Sequence, residues 1–285
     1  MQSAPIVGWL LDRRLLDSVV GGGQASSREA ERGGMAVTTV ALVALAGVAG
    51  GAMNALAGGG TFATLPALLA VGVPANVANA TSNVALLPGA ATSAWAFRGE
   101  LAPIGGVDHR LLAGITFAGG LVGSALLVVT PGHAFDLIVP WLVLYAFVVL
   151  AFGRAASAWL AARVTIGAKT LVVAQALLGV YGGYFGGGVG LMTTATYGLL
   201  ASISPRAMFA PRTLMLATAN AAAAIVFVGA SMVEWRYCVP MLVGAVVGGW
   251  AGAAVGRHLP EASVRIGTLV VTGVTAVVFF WRAYG

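Results

Sequence analysis

The chain has 285 residues, of which 59% are hydrophobic and 8% are charged. A soluble domain carries about a quarter charged residues, so this composition excludes a water-exposed globule and indicates a protein embedded in lipid. The formal net charge of +6 does not indicate nucleic-acid binding, because the basic residues are scattered through short loops and the N-terminal tail, which is typical of charges that set membrane topology. The predicted partner is therefore the lipid bilayer, and no nucleic acid.

Residues 1–34 form an N-terminal extension that differs from the rest of the chain. They contain eight charged residues and the glycine run 21–23, and they lack the uncharged core and cleavage site of a signal peptide. The apolar positions between residues 6 and 19 are compatible with a short interfacial helix. The alternative, which we favour, is a disordered extension or a start codon assigned too early. In that case a chain that begins at Met35 keeps its function.

Uncharged runs divide the remainder of the chain into ten predicted helices. About 20 apolar helical residues cross the hydrocarbon core, and backbone groups in lipid must be satisfied internally. Runs this long, and this rich in Ala, Leu and Gly, favour helices over the short alternating strands of a barrel. The predicted fold class is all-α, a polytopic transmembrane helix bundle. The predicted helices cover residues 36–57, 61–73, 81–97, 111–130, 135–154, 169–185, 190–203, 213–230, 237–256 and 264–282.

Two of the predicted helices, 61–73 and 190–203, are too short to cross the bilayer alone. Thirteen helical residues rise about 20 Å, whereas the hydrocarbon core is about 30 Å thick. Each short helix follows a glycine cluster, at residues 58–60 or 186–188. Each is therefore predicted to be a re-entrant segment or a half-helix that is supported by surrounding protein.

The distribution of Arg and Lys leaves two topologies open. If the N-terminus is inside and the short helices do not cross, eleven basic residues lie inside and four outside, in agreement with the positive-inside rule. If all ten helices cross, with inverted halves and the N-terminus outside, nine lie inside and six outside. We favour the first arrangement, which has eight full spans, two re-entrant segments and both termini in the cytoplasm.

The two halves of the membrane region resemble each other. The sequence VDHR at 107–110 is echoed by VEWR at 233–236, and a glycine cluster precedes the short helix of each half. We therefore predict two internal membrane repeats, 35–160 and 161–285. Duplicated halves with glycine-interrupted short helices in corresponding places indicate a transport site near the middle of the bilayer.

The glycines outside the two clusters are predicted to have a packing role. Gly119, Gly123, Gly248 and Gly252 have the spacing that lets two helices approach closely. The clusters are open to the same interpretation, but we favour a functional role for them. Consecutive glycines destabilise a helix, whereas packing requires only one glycine per turn.

An anion inside the membrane needs hydrogen-bond donors, because a charge in hydrocarbon is costly. Backbone N–H groups at the start of a helix that follows a glycine turn provide positive potential without a formal charge. Arg212 lies either at the mouth of such a site or at the interface, with its charge extended towards water. The nearby hydroxyl groups either contact the anion or bond back to their own helix. The predicted substrate-binding residues are Asn54, Gly58, Gly59, Gly60, Thr61, Thr81, Ser82, Asn83, Gly187, Gly188, Gly190, Thr193, Arg212 and Thr213.

The sequence contains no pattern that indicates catalysis, a metal or a cofactor. His109, His133 and His258 lack metal-ligand spacing, and Cys238 has no His neighbour. We therefore predict a protein that is not an enzyme and has no metal and no cofactor. A non-transporting accessory or assembly subunit and a passive anion channel remain alternatives to a permease. The sequence is also compatible with a homo-oligomer.

Several motifs together resemble those of the TauE/SafE family of sulfite and organosulfonate transporters. The resemblance covers about residues 36–282 and implies a permease in the cytoplasmic membrane of a bacterium that moves sulfite, sulfonates or related small anions. The motifs in the first half are the glycine cluster at 58–60, Pro66, Gly72-Val73-Pro74 and Ala80-Thr81-Ser82; those in the second half are FGGG at 185–188, VEWR at 233–236, Gly256-Arg257 and Leu259-Pro260.

Overall fold

The computed structural model describes residues 37–161, 167–201, 208–256 and 259–285. The predicted N-terminal extension, residues 1–34, lies outside these ranges. Within them the chain is almost entirely helical and contains no β-strand, which confirms the predicted fold class. Leu42–Gly285 form one compact unit, and the contacts described below lie within it.

The described residues form ten α-helices and one short 3-10 turn, Arg98–Glu100. We number the α-helices α1 to α10 in chain order. They are α1 Val37–Leu56, α2 Thr61–Ala70, α3 Ala75–Ala96, α4 His109–Val129, α5 Gly132–Ala161, α6 Ala168–Tyr184, α7 Val189–Ala201, α8 Phe209–Gly229, α9 Trp235–Gly256 and α10 Glu261–Tyr284.

Six of these helices, α1, α4, α5, α8, α9 and α10, are long and apolar enough to cross a membrane. Large apolar side chains on them point away from the protein; for example, Trp250 is 76% exposed and Trp281 is 77% exposed. Such a surface is stable in lipid but not in water. The protein is therefore a multi-pass membrane protein.

The two short helices follow glycine turns, as predicted. α2 has 10 residues and α7 has 13, so they rise about 15 Å and 20 Å, and neither spans the hydrocarbon core alone. The start of α3 was predicted at residue 81, but the helix begins at Ala75, directly after Pro74. The polar residues in this stretch resemble a loop in sequence, yet they are helical because Asn79 and its neighbours are buried inside the bundle.

Glycines let two pairs of helices touch along their backbones. A Cβ atom added to Gly248 or Gly252 would overlap the backbone of α1, and one added to Gly119 or Gly123 would overlap the backbone of α6. The predicted packing role of these four glycines is thereby confirmed. The contacts join α1 to α9 and α6 to α4, so each half contributes one helix to each pair.

α1, α3 and α9 run in the same direction, because the contacts between them advance together along both chains. They pair Ala44 with Gly244 and Ala52 with Gly252 between α1 and α9, and Thr81 with Cys238 and Gly89 with Ala245 between α3 and α9. Since α1 and α3 point the same way, α2 and residues 71–74 carry the chain back between them. The eight-span arrangement that the sequence favoured needs opposed α1 and α3, and it is therefore wrong.

α4, α6 and α8 run together in the opposite direction. α8 opposes α3, because Phe209 at its start contacts Phe97 after the end of α3, and Glu234 after its end contacts Thr81. The first helices of the two halves, α1 and α6, therefore point in opposite directions, as in the inverted ten-helix alternative, although the internal duplication of sequence stays a prediction. The contacts that align α4 with its neighbours pair Thr116 with Gly179, Gly123 with Tyr184, Thr116 with Met215 and Gly120 with Ala222.

Candidate functional site

The two glycine turns meet inside the bundle. A Cβ atom on Gly58 would lie 2.6 Å from the Cα atom of Gly190, so the backbones are in contact there. Gly58 has φ +81°, and Gly186 and Gly188 have φ +74° and +79°. L side chains rarely adopt this conformation. Glycine is therefore required both for the shape of each turn and for the approach of the two turns.

The turn between α1 and α2 is held by Asn54. The Gly60 backbone N–H donates to Asn54 Oδ1 at 3.1 Å. This bond holds Gly60, the residue before α2, against the last turn of α1. A Cβ atom on Gly60 would overlap the carbonyl oxygen of Gly50, which leaves no space for another residue. The sequence-predicted residues Asn54, Gly60 and Thr61 thus form one rigid corner, with Thr61 buried at the start of α2.

The start of α7 is buried at the contact between the two turns. Val189 and Gly190 are buried, and the Met192 N–H bonds the Gly188 carbonyl at 2.9 Å. The first N–H groups of a helix need a partner from outside it, and together they create a positive end. This buried helix start is therefore suited to an anion.

Arg212 lies beside the contact between the two turns. Its side chain is 7% exposed, and its Cγ atom would be 3.3 Å from a Cβ atom on Gly190. The guanidinium donates to the carbonyls of Leu56 at 3.3 Å and Ala55 at 3.1 Å, at the end of α1. The ring of Phe209 lies 4.5 Å from its central carbon. An interfacial arginine that reaches towards water is thereby excluded.

The charge of Arg212 has no counter-ion among the residues that the structure describes. No carboxylate lies within 4.0 Å of the guanidinium, and the Nε–H has no acceptor. The carbonyls at the end of α1 compensate part of the charge, because a helix C-terminus is negative. A buried charge without an opposite charge is costly, so a bound anion would stabilise this arrangement.

The remaining predicted residues fall into three groups. Thr193 and Asn83 are buried and have side-chain atoms without partners; Thr193 lies on α7, and Asn83 packs on Gly186, in the turn before α7. The second group has its hydroxyls already engaged. Thr81 Oγ1 accepts from the Glu234 N–H at 3.0 Å, Ser82 bonds Thr64, and Thr213 donates to the carbonyls of Phe209 and Ala210, both at 3.0 Å. Gly59 and Gly187 are packed against the rings of Phe62 and Phe185.

A small cleft lies next to this corner, between α1, α3, α8 and α9. Its polar lining consists of Asn54, Ser93 and Thr213, and Ala55, which accepts from Arg212, also borders it. Ser93 could not be predicted from the sequence, because nothing in its local pattern distinguishes it from other serines and threonines of α3.

Asn79 is a second residue of this region that was not predicted from the sequence. Its Nδ2 donates to the Tyr184 carbonyl at 3.0 Å, at the end of α6. This contact corresponds to that of Arg212, which bonds the end of α1. The spacing of Asn79 and Asn83, four residues apart on a helix face, was the signal that could have found it.

Comparisons with known proteins agree with a membrane transporter. The chain is 26% identical over 241 residues to the probable membrane transporter protein YfcA of Escherichia coli (strain K12). The aligned residues cover 82% of this chain and 87% of that protein. It is 29% identical over 225 residues to the probable membrane transporter protein ORF9 of Sinorhizobium sp, covering 77% and 84%. A probable membrane transporter protein of Haemophilus influenzae is 27% identical over 219 residues, covering 76% and 85%.

No solved structure matches the chain significantly. The family profile described as "Sulfite exporter TauE/SafE" matches residues 43–279, which include every helix from α2 to α9, both glycine turns and Arg212. This match extends over far more than half of the chain. The protein belongs to the TauE/SafE sulfite exporter family.

Proposed function

We propose that this transporter is a permease for small anions, with sulfite, sulfonates and related sulfur-containing anions as the substrate class. The observation that carries the proposal is the buried Arg212, which has no carboxylate partner among the described residues and lies against the contact between Gly58 and Gly190. The name of the family supports the choice of substrate class. No catalytic chemistry is part of the proposal: the protein moves its substrate and does not convert it.

In this proposal three kinds of donor replace the water that the anion loses. The Arg212 Nε–H provides a charge-assisted hydrogen bond, and the first N–H groups of α7 provide the positive end of a helix. The Thr193 hydroxyl, one turn after Gly190, adds a neutral donor. Because α2 and α7 are half-helices held by glycine turns, a small movement of either turn opens the site to one side of the membrane at a time.

Purified protein in liposomes tests this function. We expect labelled sulfite to enter protein-containing vesicles with a rate that saturates as the sulfite concentration rises, and other small sulfur-containing anions to compete. A rate that stays proportional to concentration would indicate a passive channel. If protein-containing vesicles take up no more label than empty ones, the chain is an accessory subunit and the proposal is wrong.

We further propose that the protein lies in the bacterial inner membrane with both termini outside. The ten alternating helices put the start of α1 and the end of α10 on one side. Of the ten Arg and Lys residues after residue 36 other than the buried Arg212, eight lie near the connections that follow α3, α5, α7 and α9, and two, Arg236 and Arg282, lie on the side of the termini. The positive-inside rule then places the eight in the cytoplasm. This replaces the expectation of cytoplasmic termini.

Reporter fusions at the C-terminus measure this orientation. Alkaline phosphatase, which is active only outside the cytoplasm, is expected to be active when fused after Gly285, and green fluorescent protein at the same position is expected to stay dark. The same two reporters fused after Arg98, between α3 and α4, serve as the control and are expected to give the reverse pattern. A fluorescent and phosphatase-inactive C-terminus would place the termini inside.

A further inference from the structure

We propose a binding site for a monovalent alkali cation at the end of α6, where the side-chain oxygens of Asn79 and Asn83 are its ligands. Both residues lie on α3, one helical turn apart, and are 0% and 2% exposed. The cation site stands on its own observations. Its role as the ion that is coupled to anion transport rests on the proposed function.

The orientation of Asn79 is fixed by its contact with α6. Its Nδ2 donates to the Tyr184 carbonyl oxygen at 3.0 Å, and a flipped amide would place two oxygens against each other. Oδ1 is therefore the free atom, and it is a buried acceptor without a donor. Leaving such an atom unsatisfied is costly, so a ligand that offers positive charge or a proton is required.

Asn83 adds a second unsatisfied amide in the same place. Neither its oxygen nor its nitrogen has a partner, although the residue is buried. The amide packs on Gly186, two residues after the end of α6, at a position where a Cβ atom would collide with Nδ2. The amide is thus held at the turn, and rotation about χ2 brings Oδ1 to the side that Nδ2 occupies.

The electrostatics of this place favour a cation over an anion. The carbonyl groups at the C-terminus of α6 form the negative end of the helix, and amide and backbone carbonyl oxygens are the ligands that hard cations prefer. Among the described residues, no Lys, Arg or His lies within hydrogen-bonding distance of either asparagine. No built-in positive charge therefore balances the end of α6.

At the corresponding end of α1, an arginine side chain supplies positive charge to the carbonyl groups. There Arg212 donates to the carbonyls of Ala55 and Leu56, and its guanidinium supplies the positive charge. At the end of α6 the neutral Asn79 makes the equivalent contact with Tyr184. Because the two halves have opposite directions and equivalent turns, a cation from solution would complete at α6 what an arginine completes at α1.

The cation site and the anion site share one structural element. Residues 186–188 connect the end of α6, where Asn83 packs, to Gly190, which contacts Gly58 beside Arg212. A cation that orders this turn orders the first N–H groups of α7 as well. Each ion is then expected to strengthen binding of the other, since coupling between two sites is reciprocal.

Thermal unfolding in detergent, without any sulfur-containing anion, tests the cation site. Choline chloride is replaced by LiCl, NaCl or KCl at constant ionic strength. We expect at least one alkali cation to raise the Tm by about 5 °C in a saturable manner. Asn79→Ala and Asn83→Ala are expected to lose this response. Asn76→Ala is the matched control, because Asn76 is on the same helix and accepts only from the adjacent Val77 N–H.

A second variant keeps the test decisive if the alanine variants do not fold. Asn83→Asp adds a carboxylate, so its response is expected at a cation concentration at least tenfold lower than in the original protein. Equal Tm values in choline and all three alkali salts would overturn the proposal and identify water as the occupant. The proposal would also be overturned if every asparagine variant showed the same rise in Tm with alkali cations as the original protein. If a cation raises the Tm but the protein does not transport sulfite, the cation site is supported and the proposed permease function is rejected. If the protein transports sulfite but no cation raises the Tm, the permease function is supported and the cation site is rejected.

Discussion

Gly58→Ala and Gly190→Ala are expected to reduce sulfite flux at least 100-fold, while the protein remains inserted in the membrane. At Gly58 a side chain would be strained by φ +81° and would also collide with Gly190 at 2.6 Å. At Gly190 it would lie 2.8 Å from the Gly58 Cα atom. Strain and overpacking of this kind cost about 1–3 kcal/mol each, which displaces the two turns and the donors that they carry.

Gly59→Ala is the matched control for these variants. A Cβ atom at Gly59 would meet the rings and methyl groups of Phe62 and Leu191 at 3.1 and 3.4 Å, and these side chains can shift. Most of the flux is therefore expected to remain. Flux is measured in liposomes at equal amounts of inserted protein. Normal transport by both Gly58→Ala and Gly190→Ala would show that the contact between the turns is not needed.

Arg212→Gln is expected to lower sulfite flux by about 10- to 100-fold at a fixed low concentration, since a hydrogen bond to a charged group contributes about 1.5–3 kcal/mol. The glutamine keeps a neutral donor for the end of α1 but removes the charge. Arg212→Lys keeps the charge and is expected to retain an intermediate rate. The loss is expected mainly as a higher KM, because the interaction is made with bound anion.

Arg98→Gln is the control for the loss of one positive charge. Arg98 is exposed and donates only to the Trp95 carbonyl, so its replacement is expected to leave flux unchanged. Equal KM values for the Arg212→Gln variant and the original protein would exclude Arg212 from the anion site. An equal loss in the Arg212→Lys and Arg212→Gln variants would indicate that the shape of the guanidinium, and not its charge, is required.

The helices and the glycine turns could be predicted from the sequence because their causes are local. Apolar runs longer than about 18 residues identify membrane-spanning helices, and three consecutive glycines before a short apolar run identify a turn that other residues cannot form. The close packing at Gly119 and Gly248 was likewise visible in the spacing. The start of α3 was misplaced, because its polar residues are buried by distant helices.

The topology and the surroundings of Arg212 could not be predicted, because they depend on contacts between distant parts of the chain. Arg212 bonds Ala55, 157 residues away, and Asn79 bonds Tyr184, 105 residues away. No local pattern encodes either contact. The charge count favoured eight spans because it included four arginines of residues 1–34, whereas the helix directions depend only on how α1, α3 and α9 pack.

A density map of the protein in a lipid nanodisc with saturating sulfite tests the central claim most directly. We expect density for one anion between the Gly58–Gly190 contact and the Arg212 guanidinium, within hydrogen-bonding distance of Nε and of the first N–H groups of α7, and none in a map of the Arg212→Gln variant. Anion density elsewhere in the bundle, with this place filled only by protein atoms, would contradict the account.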